Sequence, residues 1–551
     1  METPDPALEH ALNLFRSNRL EEAWQFLQQL LRESPESASV RHLLGLIHLQ
    51  RGENAAALPL LQGALQREAD NPLFHGNLAL TLHRLGRVSE ALHHFRQALR
   101  LHPPFADAHN NLGLLLREMG QEEEAMACFE TALTHQPEHG AAWNNRGLGY
   151  LARKDPASAE ACFQRALEAR PGDPEAATNL GLTLRQRGCL AEARHLLSQV
   201  LAVFPDFLPA RINLALVFTA TGEIPRAESQ LRAILAREPQ HREARWNLSH
   251  LLLLQKAYGP GWVLYESRLE FPEFQTLVKR HALPLWQGER VGSEGLLLWT
   301  EQGYGDAIQF VRWLPQLLLR EPGARLVLET PAALHRLFVS LDQRVTVVIR
   351  GESPPPCRWQ LPLMSLPLRM QLEGPPPAPY LQPPAMGNDC LLPRRDPATR
   401  RVGLVWAGSG SHADDRARSL PVSLLEELLA VGGIDWVSLQ LPEPEEALPV
   451  LQRHPRLLRL GPRLADFAAT AAVLAGLDLL IAVDTATAHL AGAMGRPVWL
   501  LTPYVPDWRW GLIGERSDWY PSLRLFRQPG PEAWPELIRQ VVGELSAWKS
   551  D

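Results

Sequence analysis

Alanine returns every 34 residues at seven consecutive positions, Ala23, Ala57, Ala91, Ala125, Ala159, Ala193 and Ala227, without one insertion. A fixed period of this length excludes one enlarged core, because each unit must bury its apolar face against its neighbours in sequence. Glycine keeps the same period at Gly52, Gly86, Gly120, Gly188 and Gly222, with Lys154 as the exception. Proline keeps it at Pro35, Pro103, Pro137, Pro171, Pro205 and Pro239, with Ala69 interrupting. Between these marks each unit carries two segments, such as NPLFHGNLALTLHRLG and RVSEALHHFRQALRLHP, with apolar residues three and four apart. That spacing predicts a pair of amphipathic helices per unit. Small residues at one fixed position let the paired helices approach, Phe95, Phe129 and Phe163 fill the next layer, and proline ends the second helix. The expected architecture of this half is an α-solenoid. Residues 242–271 keep Asn247 but lose the alanine and proline marks, as a cap or an adaptor would.

The pattern resembles tetratricopeptide repeats over residues 4–271, about eight units with the last degenerate. Within it Asn77, Asn111, Asn145, Asn179, Asn213 and Asn247 fall in register on the first helix of six consecutive units. First helices line the concave face of such a superhelix, so six amides would form a ladder along one groove. An amide both donates and accepts, and can pair with the backbone of an extended peptide whatever its side chains. The competing reading is that each asparagine bonds the neighbouring helix. The ladder is similar to that of eukaryotic O-GlcNAc transferases, where such repeats feed protein substrates to a glycosyltransferase.

Composition narrows the class. Of 551 residues 45% are hydrophobic and 21% charged, which is globular and argues against long disordered or fibrous regions. A net charge of -6 lacks the basic excess of wholesale nucleic-acid binding. The start, METPDPALEH, is acidic and broken by prolines, unlike a secretory signal, and no apolar run reaches a membrane span. Five cysteines form no CxxC pair and leave one over, which fits a reduced compartment. A cytoplasmic protein without a transmembrane segment is expected.

From about residue 295 short apolar runs bounded by glycine and proline alternate with helical stretches, as parallel strands with crossover helices do. Segments 296–301, 325–330 and 345–350 are expected strands of one sheet, and 401–408, 435–440, 477–483 and 497–503 of a second. Residues 353–397 hold 13 of the chain's 47 prolines and read as loops joining two lobes. The expected domains are therefore the array, 4–271, a first lobe, 272–390, and a second lobe, 391–551. Ligands of such folds lie beyond the carboxyl ends of the strands.

Two post-strand loops stand out. In EQGYGDAIQF, Gly303 and Gly305 permit a tight turn and Asp306 would open the next helix facing the cleft. A carboxylate there suits general-base work, although an N-cap is its ordinary role. In LIAVDTATAHLAGAMGRPVWLLTP a strand ends at Asp484 and a helix starts near Thr485. Its free amides around Ala486, with the Thr485 and Thr487 hydroxyls, would seat a phosphate or diphosphate. His489, one turn on, is either a phosphate donor or a buried structural histidine.

These residues resemble bacterial heptosyltransferase-like glycosyltransferases of the GT-B fold, which has two Rossmann-like lobes. The family signature D-T-x-x-x-H-L-x-x-A-x-G-x-P reads here Asp484, Thr485, His489, Leu490, Ala493, Gly495, Pro497. The resemblance implies Asp306 as catalytic base. It implies donor binding by Gly303, Gly305, Ser409, Ser411, Arg416, Arg418, Gln440, Asp484, Thr485, Ala486, Thr487 and His489. The family tends to carry lysine in the loop 406–421, where this chain has arginines, and its first lobe is larger than the hundred or so residues here. Asp414 and Asp415 are adjacent instead of in DxD spacing, and no HExxH or Cys/His cluster occurs, so no metal and no cofactor are expected. Trp508, Arg509, Trp510, Trp519 and Tyr520 read either as a stacking surface for base or sugar or as packing.

The resulting expectation is a protein O-glycosyltransferase that moves a sugar from a nucleotide-sugar donor to Ser or Thr of a polypeptide held by the repeats. The mechanism would be inverting and metal-independent, with flagellin the leading acceptor by resemblance. A lipid or polysaccharide acceptor, or a scaffold with an inactive glycosyltransferase-like region, are the alternatives.

Overall fold

A computed structural model describes residues 6–301, 303–372, 374–383, 391–393, 399–408 and 415–548. The chain divides into two compact units, residues 1–210 and 211–551. The first is a run of helix hairpins from Pro6–Arg16 with Leu20–Glu33 to Pro174–Gln186 with Leu190–Val203. Each periodic alanine within it is fully buried. The helices meet where a small residue faces a large one: a Cβ on Gly113 would lie 2.5 Å from the Phe129 ring, and one on Gly147 2.6 Å from Phe163. Such contact distances leave no room for even a methyl group, so the spacing of glycine and phenylalanine fixes the hairpin.

Two devices terminate the helices. The turn glycines adopt left-handed backbone, Gly52 at φ +77° and Gly86 at +74°, and Lys154 is forced into the same region at +59°. At the other end, the side chain six residues beyond a periodic carbonyl returns to cap it. Arg41 donates to the Pro35 carbonyl at 2.7 Å, His75 to Ala69 at 2.9 Å, His109 to Pro103 at 2.9 Å and Trp143 to Pro137 at 2.8 Å. Three residue types deliver one N–H to one place, a carbonyl just past the helix end.

The second unit begins with the last hairpins and continues into two parallel sheets. Helices Arg242–Leu254 and Tyr258–Tyr265 form an adaptor. Trp262 meets Phe310 and Trp508 edge-on at 5.9 and 5.4 Å, and Arg268 pairs bidentately with Glu301, both bonds 2.8 Å and both side chains nearly fully buried. The first sheet contains β1 (Leu296–Trp299), β2 (Leu326–Thr330), β3 (Val345–Ile349) and β4 (Trp359–Pro362) in the order β3-β2-β1-β4. The second contains β5 (Arg400–Val405), β6 (Ile434–Ser438), β7 (Leu458–Arg459), β8 (Leu479–Val483), β9 (Val498–Thr502) and β10 (Leu523–Arg527) in the order β10-β9-β8-β5-β6-β7. Every pairing is parallel, and the strands are sandwiched by helices in Rossmann-like fashion. All seven expected strands form. Strand β4 is a correction, because it lies inside the proline-rich stretch read as loop. Its only proline is its last residue, Pro362, where a missing N–H costs no ladder bond within the strand.

Candidate functional site

The loop after β1 and the start of the helix after β8 come together. Gly303 precedes helix Tyr304–Phe310 with φ +93°, and a Cβ there would lie 2.5 Å from the Asp306 carboxylate. The glycine thus leaves the space into which Asp306 folds back, from the third position of the helix instead of the expected first. Gly305 has a different duty. A Cβ on it would lie 2.9 Å from the His489 ring and 3.6 Å from the Ala486 Cα. It is a point of close approach between the two lobes.

Helix Ala486–Ala493 begins at Thr485, whose backbone is extended and whose hydroxyl donates to the Val483 carbonyl at 3.2 Å. The Thr485 side chain does not cap the first-turn amides. Asp484, Thr485, Ala486 and Thr487 are half-buried, whereas the helix from Ala488 to Ala493 is buried. The tip therefore combines uncapped N–H groups, the positive end of the helix dipole and solvent access, as an anion seat requires.

His489 has the surroundings of a buried structural histidine, one of its two expected readings. It is 4% exposed, its Nδ1 lies 3.0 Å from the Tyr520 hydroxyl and its Nε2 3.5 Å from Asp484, and its ring packs 5.2 Å from that of Trp510. Both ring nitrogens face protein partners, which orient the ring beside the helix tip. Burial alone would push the Asp484 carboxyl up, but the His489 hydrogen bond, the His489 charge and Arg509 outweigh it and hold that group at about 2.

The residue that sequence reasoning misassigned is Arg509. Its guanidinium donates to the Asp306 carboxylate through Nη2, to the Gln309 amide oxygen through Nε and to Asp507 through Nη1, the last at 2.8 Å. An arginine from the second lobe thus ties down the acidic residue of the first. Burial pushes the Asp306 carboxyl above its ordinary value, with Arg509 and His489 opposing and Asp507 and Glu301 reinforcing that push. The signal available in sequence was the D-x-R spacing of Asp507 and Arg509, hidden among tryptophans.

Those tryptophans do not form a stacking surface. Trp508, Trp510, Trp519 and Tyr520 are all at most 4% exposed and interlock with Trp262 and Trp313 in the core. Gln440 is a correction. It is 1% exposed, its amide oxygen accepts from the Trp406 and Ala407 N–H groups, and its Nε2 donates to the Ala407 and Pro442 carbonyls. With every hydrogen-bonding site used, it braces the loop after β5 instead of touching a ligand. Ser409 and Ser411 and the Arg416 side chain lie outside the described residues; Arg418 is half-buried on the short helix Asp415–Arg418. Among the described residues no three histidine, cysteine or acidic side chains converge as metal ligands.

The asparagine ladder is partly consumed by the solenoid. Asn77 bonds His42 at 2.8 Å, Asn145 donates to Asn110 at 2.8 Å and Asn179 donates to Asn144 at 2.9 Å. Each partner stands 35 residues earlier. For Asn111 that position is Gly76, which has no side chain to receive it; Asn111 instead accepts from Asn110 at 3.5 Å. Asn213 and Asn247 are half-buried on their helices. The reading in which each asparagine bonds the neighbouring helix therefore holds for three of the positions.

Tetratricopeptide-repeat family models match residues 14–80, 81–120, 111–174, 162–195 and 184–252. The N-terminal region is accordingly built of tetratricopeptide repeats. The chain is 28% identical over 332 residues to Protein FlbA of Caulobacter vibrioides, covering 54% of this chain and 53% of that one. It thus spans about half the length of this curated relative. Among solved structures, the APC/C hetero-tetramer Cut9-Hcn1 is similar with a TM-score of 0.42 and 16% identity over 50% of this chain and 56% of that one. The pilF structure of Pseudomonas aeruginosa gives 0.35 and 24% over 38% and 96%. Among the described residues no helix is long and apolar enough to cross a membrane.

Proposed function

We propose that the protein is a cytoplasmic glycosyltransferase whose repeats hold a polypeptide acceptor and whose two-sheet region transfers a sugar from a nucleotide-sugar donor to a Ser or Thr hydroxyl. The observation that carries the reading is the junction of Gly305 with His489 and Ala486, which sets a carboxylate-bearing loop of one lobe against an uncapped helix start of the other. Asp306 takes the hydroxyl proton, the freed oxygen bonds to the anomeric carbon, and the bond from that carbon to the phosphate oxygen breaks, so the electron pair leaves with the nucleotide. The configuration inverts. The amides at Ala486, Thr487 and Ala488 receive the departing charge, and Arg509 supplies the positive charge that the sequence reading placed on Arg416 or Arg418. Such preorganised donors supply a large share of catalysis in comparable sites. Flagellin is the first acceptor to test, on the family resemblance alone.

The ion pair between Asp306 and Arg509 also favours a second reading, a repeat scaffold whose two-sheet region no longer turns over. Co-expression with candidate acceptors followed by intact-mass measurement separates the two. A glycosyltransferase adds a fixed mass to one acceptor, and Asp306→Asn abolishes the addition. No addition across nucleotide-sugar-rich hosts supports the scaffold.

A further inference from the structure

The junction that would seat an anion is itself crowded with carboxylates. Asp306, Asp507 and Asp484 surround a single guanidinium, that of Arg509, while the neighbouring Glu301 is already held by Arg268. Arg509 is itself 9% exposed and all three of its nitrogens are engaged, so the guanidinium beside the helix tip is already committed to protein partners. One donor beside it is unspent: the Gln309 side chain is fully buried, its amide oxygen receives Arg509, and its Nε2 has no partner among the described residues. An orphaned buried N–H costs free energy until an acceptor arrives.

We propose that Arg509 is a latch shared between Asp306 and the donor's diphosphate, so that binding of the donor itself releases the base. This rests on the donor-site reading above and adds to it an order of events. In the resting protein the guanidinium neutralises Asp306, and a polypeptide hydroxyl arriving first finds no available base. A diphosphate offers the guanidinium a doubly charged, fork-matching partner and offers the Gln309 amide an acceptor. Once Arg509 turns to it, Asp306 loses the cation it is paired with and becomes the stronger proton acceptor, held among Asp507, Asp484, Glu301 and His489 from its own and the facing lobe, with His250 and Tyr265 of the adaptor also near Arg509. The donor therefore binds first, and proton affinity at Asp306 rises with donor occupancy.

Isothermal titration of the full chain with ADP, GDP, CDP, UDP and pyrophosphate, in buffers of differing ionisation heat, tests this. Wild-type protein is expected to take up protons on binding, more so as pH falls, because losing the guanidinium raises the proton affinity of the buried carboxylate further. Asp306→Asn should bind several-fold tighter, since Arg509 no longer has to leave a charge, and without proton uptake. Arg509→Met should bind about tenfold or more weakly, and Arg509→Lys, which keeps charge without the fork, should fall between. Unchanged proton uptake in Asp306→Asn, or wild-type affinity in Arg509→Met and Arg509→Lys, overturns the latch while leaving a donor site. Binding of none of the five probes to the wild type removes the donor site and the latch together.

Discussion

The repeat array and the two-sheet region solve the same problem, placing polar groups next to buried surface, in opposite ways. In the array each solution is local and copied: a glycine faces an aromatic ring, and a side chain caps a carbonyl six residues back, from hairpin to hairpin. In the two-sheet region each solution is unique and joins distant segments, as when Arg268 meets Glu301 or Arg509 meets Asp306. Losses in the array should therefore be graded and local, whereas losses in the sheets should be large and cooperative.

The largest effect is expected for Arg268→Met. Stripping the cation from the buried Glu301 should cost about 3–5 kcal/mol in urea unfolding followed by tryptophan fluorescence. A cost below about 1 kcal/mol would mean that this pair is no stronger than a surface one. Next comes acid sensitivity of the array. His42 is buried, accepts from Asn77, and burial lowers its value from 6.5 to about 4. A histidine held neutral by the fold gives its stability in full above the unfolded value and loses it as pH falls through the folded one. The array should thus lose on the order of 3 kcal/mol between pH 6.5 and 4, read from helical dichroism in urea, and His42→Gln should flatten that slope. The Asp484 carboxyl, held at about 2, lets the sheet region keep its corresponding contribution until the pH falls below the ordinary aspartate range.

A smaller change should follow Gly113→Ala, whose added carbon would sit 2.5 Å from Phe129. Overpacking of this kind costs about 1–3 kcal/mol, and adding Phe129→Leu should recover part of it, since the clash is with the ring itself. Failure of the second substitution to recover anything would argue that helix spacing is set elsewhere. The smallest effect is expected for Lys154→Gly, which relieves a left-handed lysine at the cost of a more flexible unfolded chain, a net gain of about 0.5 kcal/mol in melting experiments.

The same contrast explains what the sequence disclosed. The hairpins, their turns and their buried alanines were legible because period and spacing are properties of neighbours along the chain. Seven strands were legible from apolar runs, whereas β4 was masked by surrounding prolines, β7 is two residues long and β10 sits in a segment dominated by arginine and aromatic residues. That Asp306 and the helix tip lie close together was legible because both sit in loops after parallel strands, which gather at the carboxyl ends of the sheets. The partners of His489 and Gln440 were not legible, because a side chain's free hydrogen-bonding capacity is decided by partners that only tertiary structure supplies. Arg509 was missed for the same reason: its three partners lie at Asp306, Gln309 and Asp507, two of them some two hundred residues away.

Whether the inter-lobe junction is a ligand cleft is tested most directly by hydrogen exchange of the full chain with and without nucleoside diphosphate. Slowed exchange concentrated in 303–310, 484–490 and 507–510 is the predicted result. Binding that protects other segments while leaving these three unchanged would contradict it.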